Sequence, residues 1–331
     1  MNSPLVSIVV PTYNRHEMLR NALRSLTLQE TDDEFSYEIV VIDNGSTEPT
    51  KAVVAETATG SPVPTRYVRE EVAGYPEALN RGVREARGVW IALFDDDQLA
   101  EPNWLKELLS AASVTKAKLV GGSIRPHLPS GGTLPLSTFC RGLLGENVWE
   151  RTAQVCQGER IPSGGNMLIA REVFNSIGLF DTAMALGGCD SDFVERALAS
   201  GIIVAISPAP IVRHVIPPYR VTTSYFRWTS MRSGCDIAYR DCKKSGSTKI
   251  LFSLVAKTGQ AILVNLPLLI FSVLTRNATQ SLHRRCLLWR AIGYARETAS
   301  LAARSLLKQG LFISPLEFRK ERTTFSCDTK H

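Results

Sequence analysis

The sequence predicts an α/β protein with a mainly parallel central sheet flanked by helices, followed by a helical extension. Three observations carry this. Short runs of β-branched and aliphatic residues alternate with amphipathic segments through the first two thirds of the 331 residues; each apolar run ends in a cluster of turn residues; and from residue 224 the pattern turns mainly helical. A content of 44% hydrophobic and 21% charged residues is ordinary for a folded chain and argues against disorder. The length fits one large α/β domain with an appendage, divided at 1–220 and 221–331.

The first strand is expected at 7–10 and the second at 38–42, each ending in a turn, at 11–14 and 43–47. Between them Met18, Leu19, Ala22, Leu23 and Leu26 recur at helical spacing. Residues 67–69 read as a weaker strand, 77–87 as a helix ended by Gly88, and 89–94 as a buried strand running into Asp95. Pro102 opens a helix over 103–112, because proline is tolerated in a first helical turn. Residues 120–124 read as a strand, 126–132 as a loop rich in Pro, Ser and Gly, 171–177 and 190–200 as helices, and 202–206 as a final strand. Strands joined through helices run parallel, and such sheets bind ligands beyond the carboxyl ends of their strands. Residues 11–15, 43–46 and 95–97 are therefore expected on one rim.

Charge is unevenly distributed. Residues 219–331 hold 19 of the 38 Lys and Arg but only 6 of the 32 Asp and Glu. A basic segment after an acidic body suits an anionic partner such as a membrane surface, a lipid diphosphate or nucleic acid, and a solvated basic tail is the plainer alternative. Within it, residues 250–275 are the most apolar stretch, interrupted by Lys257, Gln260, Asn265 and Pro267. The strictly apolar part falls short of the roughly 20 residues of a spanning helix. An interfacial or re-entrant helix pair is the favoured reading, with a buried core helix and a true span as alternatives; Arg276, Arg284, Arg285 and Arg290 beside it suit anionic headgroups. Seven cysteines without a C-x-x-C pair signal neither a zinc ribbon nor a redox motif, and the odd number without an export signal predicts reduced thiols in the cytoplasm.

Asp95, Asp96 and Asp97 follow directly on an apolar strand. Packed carboxylates repel one another, so a cation or a catalytic demand explains them better than a solvated turn capping the next helix, and oxygen ligands suit Mg²⁺ or Mn²⁺ with phosphate oxygens completing the shell. Asp43 ends a second strand, where a carboxylate accepts from a base or ribose, or merely shapes an Asx-turn. Thr12 and Asn14 stay open in the same way. Asp190 and Asp192 stand where a glycine turn meets a helix; either could cap it, but Asp190 is the choice for a base that takes an acceptor proton. Gly164, Gly165 and Asn166 offer close backbone approach and an amide for sugar or acceptor hydroxyls, or simply a tight turn. His214 is a candidate metal ligand or phosphate donor, with a structural role as the alternative.

The motifs SIVVPTYNR, VIDNGST, ALNRGVREARGVWIALFDDDQLAEPNWL, PSGGNMLIAREVFNSIGLFD and GGCDSDFVERALASG, in that order over residues 5–215, resemble family 2 glycosyltransferases. The resemblance implies a Rossmann-like glycosyltransferase A-type fold, a nucleotide-sugar donor with a UDP-sugar favoured, a divalent metal and inversion at the anomeric carbon. By position, Pro11, Thr12, Tyr13 and Arg15 correspond to the first nucleotide-binding loop, Asp43 to a base-contacting carboxylate and Asn80 to a nucleotide-side residue. Asp95 and Asp97 match the two ends of the metal motif, with Asp96 between them at the donor, and Asp190 corresponds to the catalytic base. Two departures stand out: Cys189 where many members have Glu, and Leu79 where many have Arg, leaving Arg81 or Arg84 to supply positive charge. The segment HVIPPYRVTTSYFRWTSMRSG is similar to a subgroup building bacterial exopolysaccharides on lipid carriers, which implies a lipid-linked or saccharide acceptor at the inner membrane surface and no nucleic acid. Arg227–Trp228 matches only part of a motif of processive synthases, since position 224 is Ser, so one sugar per encounter is expected. A sugar nucleotidyltransferase would show a Gly-rich basic loop after the first strand, a dinucleotide oxidoreductase would show G-x-G-x-x-G, and PTYNR has neither; a non-catalytic membrane-associated nucleotide-sugar-binding protein would leave the acidic triplet unexplained.

Overall fold

In the computed structural model every residue of Val6–Thr12 (β1) and Tyr37–Asp43 (β2) is buried. Parallel strands covered on both faces need apolar side chains on each, which is why both read as continuous β-branched runs. The structure describes residues 4–47, 49–128, 135–150, 152–158, 160–162, 164–184 and 187–307. The chain divides into two compact units, Met1–Val221 and Thr222–His331.

In the first unit, α1 (His16–Leu26) turns Leu19, Ala22, Leu23 and Leu26 inward. Then come α2 (Thr50–Gly60), β3 (Thr65–Arg69), α3 (Tyr75–Glu85) and β4 (Trp90–Leu93). β1 pairs in parallel with β2 and β4, and β2 with β3. Thr12 stands beside Asp43 in register, so the two strands end level. Gly82 lets α3 lie against β1: a Cβ there would come within 2.2 Å of Val9 Cγ1. The carboxylate of Glu38, buried on β2, accepts from Ser7 Oγ (2.7 Å), Arg66 Nε (3.1 Å) and Arg87 N (2.9 Å). Burial pushes this carboxyl up, but those donors outweigh it and hold it below its ordinary value.

The remainder of the sheet is mixed. It contains β5 (Gln98–Ala100), α4 (Trp104–Thr115), β6 (Leu119–His127), α5 (Thr138–Leu143), β7 (Gln154–Val155), β8 (Met167–Ala170), α6 (Arg171–Ile177), α7 (Cys189–Ala199) and β9 (Val204–Val215). The strand order is β3-β2-β1-β4-β8-β6-β9-β5, with β7 also on β9. β8 lies antiparallel between β4 and β6, β6 and β9 are parallel, and β5 and β7 run antiparallel to β9. The expected α/β architecture is present, with most strands running one way.

Several elements differ from expectation. β5, β7 and β8 are too short to display a period, and β8 merges in sequence with the helix that follows it. α2 and α5 were also not expected. Asn103 is the N-cap of α4, so Pro102 precedes that helix rather than opening it. The final strand runs on to Val215 through Pro208 and Pro210, which fall where the ladder to β6 is broken by a register shift between Gly121 and Ser123. Pro126 and His127, expected in a loop, pair with His214 and Val215; residues 129–132 of that loop lie outside the described residues.

The second unit consists of α8 (Thr223–Gln260), a π-helical turn (Ala261–Asn265), α9 (Leu266–Leu274) and α10 (Ala278–Leu307). The π turn directly precedes Pro267, whose ring cannot fit against the carbonyl one α-turn earlier. α10 packs back along α8. Glycines make the crossing close: a Cβ on Gly234 would lie 2.0 Å from Arg290 O, and one on Gly293 2.0 Å from Met231 O. Ile250–Leu274 is 25 residues long with mean hydropathy 1.6, long and apolar enough by length and composition to cross a membrane, and 11% of its apolar window is buried. The average is reached although Lys257, Gln260 and Asn265 still interrupt the strictly apolar part. The stretch is one continuous helix rather than a helix pair, and with Phe252, Leu263 and Leu274 each about three-quarters exposed it is not a buried core helix. Residues 308–331, with Cys327, lie outside the described residues; the other six cysteines are free thiols.

Candidate active site

The ends of β1, β2 and β4 meet at one rim. Asn44 N donates to Thr12 O (2.9 Å), and Phe94 N, just after β4, donates to Val9 O (3.1 Å). Asn14 sits at φ 50°, a left-handed conformation that asparagine tolerates, and from there its N–H donates to Ser46 Oγ (2.9 Å) while its Oδ1 accepts from Thr47 N (2.9 Å). Loops 11–15 and 43–47 are thus laced together. Pro11 and Thr12 are buried, and Tyr13 is exposed at the rim.

The acidic triplet is not a solvated turn, since Asp96 and Asp97 are 4% and 5% exposed. Asp96 accepts from Thr12 Oγ1 (2.8 Å) and from Arg15 Nη1 (2.8 Å), and the same guanidinium nitrogen reaches Asp97 Oδ2 at 3.0 Å. Burial works against the Arg15 charge, but Asp96 and Asp97 more than compensate and raise its pKa. Asp95 points elsewhere. It accepts from Tyr75 Oη at 3.0 Å, and its carboxyl is pushed up to about 7, first by burial and then by the charge of Asp97.

Asp190 lies in the first turn of α7, whose N-cap is Gly188; neither Asp190 nor Asp192 is the cap. Asp192 pairs with Arg196 (2.8 Å). Asp190 instead accepts from the backbone N–H of Gly164. Gly165 follows, packed so closely on Asp95 that a Cβ would lie 2.5 Å from its Cγ. The two-glycine turn therefore bridges Asp190 to Asp95. Tyr75 feels both: burial, then the charges of Asp95, Cys189 and Asp190, raise its hydroxyl well above the ordinary value. Sequence reasoning missed Tyr75, which carries no motif of its own and stands at the rim only because α3 begins there.

Three expected residues face inward. Asp43 is 2% exposed and accepts from Ser46 N (2.9 Å) and Tyr67 Oη (2.7 Å), which is the turn-shaping role held open for it. The Asn80 amide clamps the backbone of Phe180 in both directions, at 3.0 and 2.9 Å. Asn166 accepts from Trp104 Nε1 (2.8 Å) and donates to Ser123 O (2.9 Å) and Pro210 O (3.0 Å), so both its amide hydrogens serve the core instead of a sugar. Leu79 is fully buried and Arg81 pairs with Glu85 (2.9 Å). Positive charge beside the triplet comes instead from Arg15 and from Arg220, a residue the sequence reading passed over although it lies six positions after His214.

Gln98 of β5 pairs with His214 of β9, and this pairing carries Asp97 to His214. His214 Nδ1 lies 2.8 Å from Leu144 O, which requires the proton on Nδ1 and leaves a lone pair on Nε2. That nitrogen is 3.4 Å from Asp97 Oδ2. The Arg220 guanidinium bonds both atoms, Nη1 to His214 Nε2 (2.8 Å) and Nη2 to Asp97 Oδ2 (3.0 Å). Burial pushes the Asp97 carboxyl up; the guanidinium charges of Arg220 and Arg15 outweigh it and hold it well below the usual carboxylate range. Among the described residues no three His, Cys, Asp or Glu side chains gather as a metal cluster. A carboxylate and an imidazole lone pair converging on one cation nevertheless fit Mg²⁺ or Mn²⁺, which use few protein ligands when phosphate oxygens complete the shell.

The sequence profile of Glycosyl transferase family 2 matches residues 7–178, more than half of the chain. The chain belongs to this family. Family 2 membership makes it a glycosyltransferase, setting aside the nucleotidyltransferase and the non-catalytic binding protein. It is similar to the glycosyltransferase AglE of Haloferax volcanii, 27% identical over 65% of this chain and 68% of that one, and to the succinoglycan biosynthesis protein ExoM of Rhizobium meliloti, 27% identical over 69% and 72%. Among solved structures it is similar to the mannosyltransferase PcManGT of Pyrobaculum calidifontis in complex with GDP-Man and Mn²⁺ (TM-score 0.58, 20% identity, 93% of this chain and 88% of that one). It also resembles S. aureus TarS 1–349 in complex with UDP (TM-score 0.52, 16% identity, 90% and 91%). These structures share the glycosyltransferase A-type fold of this family 2 transferase.

Proposed function

We propose that this glycosyltransferase moves a sugar from a nucleoside diphosphate donor, a UDP-sugar in the first instance, to the hydroxyl of a lipid-linked or growing saccharide, with inversion. The observation that carries the reading is the bridge from Asp190 through Gly164 and Gly165 to Asp95, which joins a carboxylate at a helix start to the acidic triplet. The nucleotide lies along the rim of Pro11–Arg15, with Asp43 holding the loop beneath it. Asp190 takes the acceptor proton as the acceptor oxygen bonds to the anomeric carbon and the bond from that carbon to the diphosphate oxygen breaks, its electron pair leaving with the diphosphate. Arg15 contributes positive charge beside the leaving group. Asp97 and His214 would hold Mg²⁺ or Mn²⁺, which when bound supplies Lewis-acid stabilisation of the diphosphate. Support for a membrane-surface acceptor comes from the exposed apolar helix Ile250–Leu274 beside Arg276, Arg284 and Arg285, and from the relative that is a succinoglycan biosynthesis protein.

The test measures nucleoside diphosphate release from a panel of nucleotide sugars with a lipid-linked saccharide acceptor. Asp190→Asn is expected to lower turnover by roughly 10²- to 10⁴-fold, the usual contribution of a general base. Asp97→Asn should lose both turnover and Mn²⁺ dependence. Unchanged transfer in both variants rejects the mechanism.

A further inference from the structure

Arg220 takes no part in the scheme above, yet it sits at its centre. The side chain is 7% exposed, on the 3-10 turn Pro218–Val221. Its two terminal nitrogens bond the two atoms best suited to a divalent ion, Asp97 Oδ2 and the Nε2 lone pair of His214. The backbone delivers both atoms independently of Arg220. Asp97 O accepts from Val215 N (2.8 Å), β5 pairs with β9 at Gln98 and His214, and Leu144 O orients the imidazole. A lone pair on a ring nitrogen can point at a guanidinium or at a metal, and it cannot serve both.

We propose that Arg220 is an internal competitor for the divalent cation: its guanidinium and the ion are alternative partners of Asp97 and His214, so metal enters only as the Pro218–Val221 turn withdraws Arg220. This rests on the assignment of Asp97 and His214 as the metal pair. The chemistry favours such an exchange. A guanidinium spanning a carboxylate and an imidazole makes charge-assisted bonds of definite geometry, and the same two atoms would otherwise face a cation of another kind. Arg15 stays on Asp96 and Asp97, so the carboxylates retain one cation while the other is replaced. A nucleoside diphosphate brings phosphate oxygens that complete the metal's shell and offer the released guanidinium a new anionic partner. Metal affinity is thereby low without nucleotide and rises with it, which ties assembly of the charged site to the presence of donor.

The experiment measures binding of Mn²⁺ alone to the full chain by calorimetry, with no nucleotide present. Arg220→Gln removes the competitor and is expected to tighten Mn²⁺ binding by on the order of tenfold, since a single charge-assisted contact of this kind corresponds to about that factor. Arg220→Lys keeps the charge but bonds only one of the two atoms at a time, and should fall between the wild type and Arg220→Gln. Asp97→Asn should abolish the binding. In the wild type, hydrogen exchange should accelerate over residues 216–221 when Mn²⁺ is added, a readout that needs no variant to fold. Equal or weaker Mn²⁺ binding in Arg220→Gln and Arg220→Lys, or bound Mn²⁺ without faster exchange at 216–221, overturns the competition while leaving the metal pair intact. Binding that survives Asp97→Asn instead rejects the metal pair on which the inference is built.

Discussion

Two carboxylates of the acidic triplet illustrate how surroundings assign roles to identical groups. Asp97 has two arginines beside it and is held ionised, whereas Asp95, two positions earlier, is pushed up to about 7 by burial and by the charge of Asp97, against the hydrogen bond from Tyr75. Glu38 is a third carboxylate and a purely structural one. Its folded pKa lies below the ordinary value, so it contributes stability that is present above the unfolded pKa and is lost as pH falls through the folded one. Glu38→Gln should therefore cost about 1.5–3 kcal/mol in urea unfolding at pH 7, the range for hydrogen bonds to a charged group, with the gap to wild type closing as pH falls through the lowered folded pKa. A gap independent of pH rules out the charged form as the source. At this scale the aspartates were legible in sequence because strand ends are where chemistry collects. Asn80 and Asn166 were not, because an amide within a motif reads the same whether it faces a ligand or, as here, Phe180 and Trp104.

Elements decide which of these residues meet. The parallel strands β1, β2 and β4 could be read from β-branched runs, whereas β5 and β8 have only three and four residues and acquire their identity from the strands they join. That loss mattered: the pairing of β5 with β9 is what delivers Asp97 to His214, and no local pattern announces it. Close approach between elements makes a measurable claim. Gly82→Ala places a methyl group into Val9 at the α3–β1 contact and should destabilise the first unit by about 1–3 kcal/mol, as overpacking does. Gly142→Ala on α5, where a Cβ meets nothing within 4 Å, should be neutral or stabilising by up to about 1 kcal/mol. Equilibrium denaturation of the pair checks this, and equal effects would show that the helix-to-strand contact is slack. In the second unit Gly293→Val should be similarly disruptive, because its side chain would run into Met231 O.

On the scale of the whole chain, the division of charge is the property with the widest consequence. A net charge of +6 conceals a basic C-terminal third that also carries the exposed apolar helix Ile250–Leu274. Apolar burial and attraction to anionic headgroups reinforce each other, so the full chain should co-sediment with vesicles containing an anionic phospholipid, less with neutral ones, and less again at high salt. Phe271→Glu, on the exposed apolar surface, should reduce co-sedimentation several-fold. Sedimentation no greater than in lipid-free controls would remove the case for a membrane-surface acceptor. From residue order alone came the α/β class, the rim at the ends of the first strands, the acidic triplet, the family and the basic extension, because these depend on local periodicity and on short motifs whose chemistry is carried by adjacent residues. Tertiary structure alone decided that Asp190 reaches Asp95 through two glycines, that Asn80 and Asn166 turn inward, and that Arg220 shares Asp97 with His214. Those outcomes depend on long-range strand pairing, strand register and close packing, and a contact between residues distant in the chain leaves no periodic trace along it.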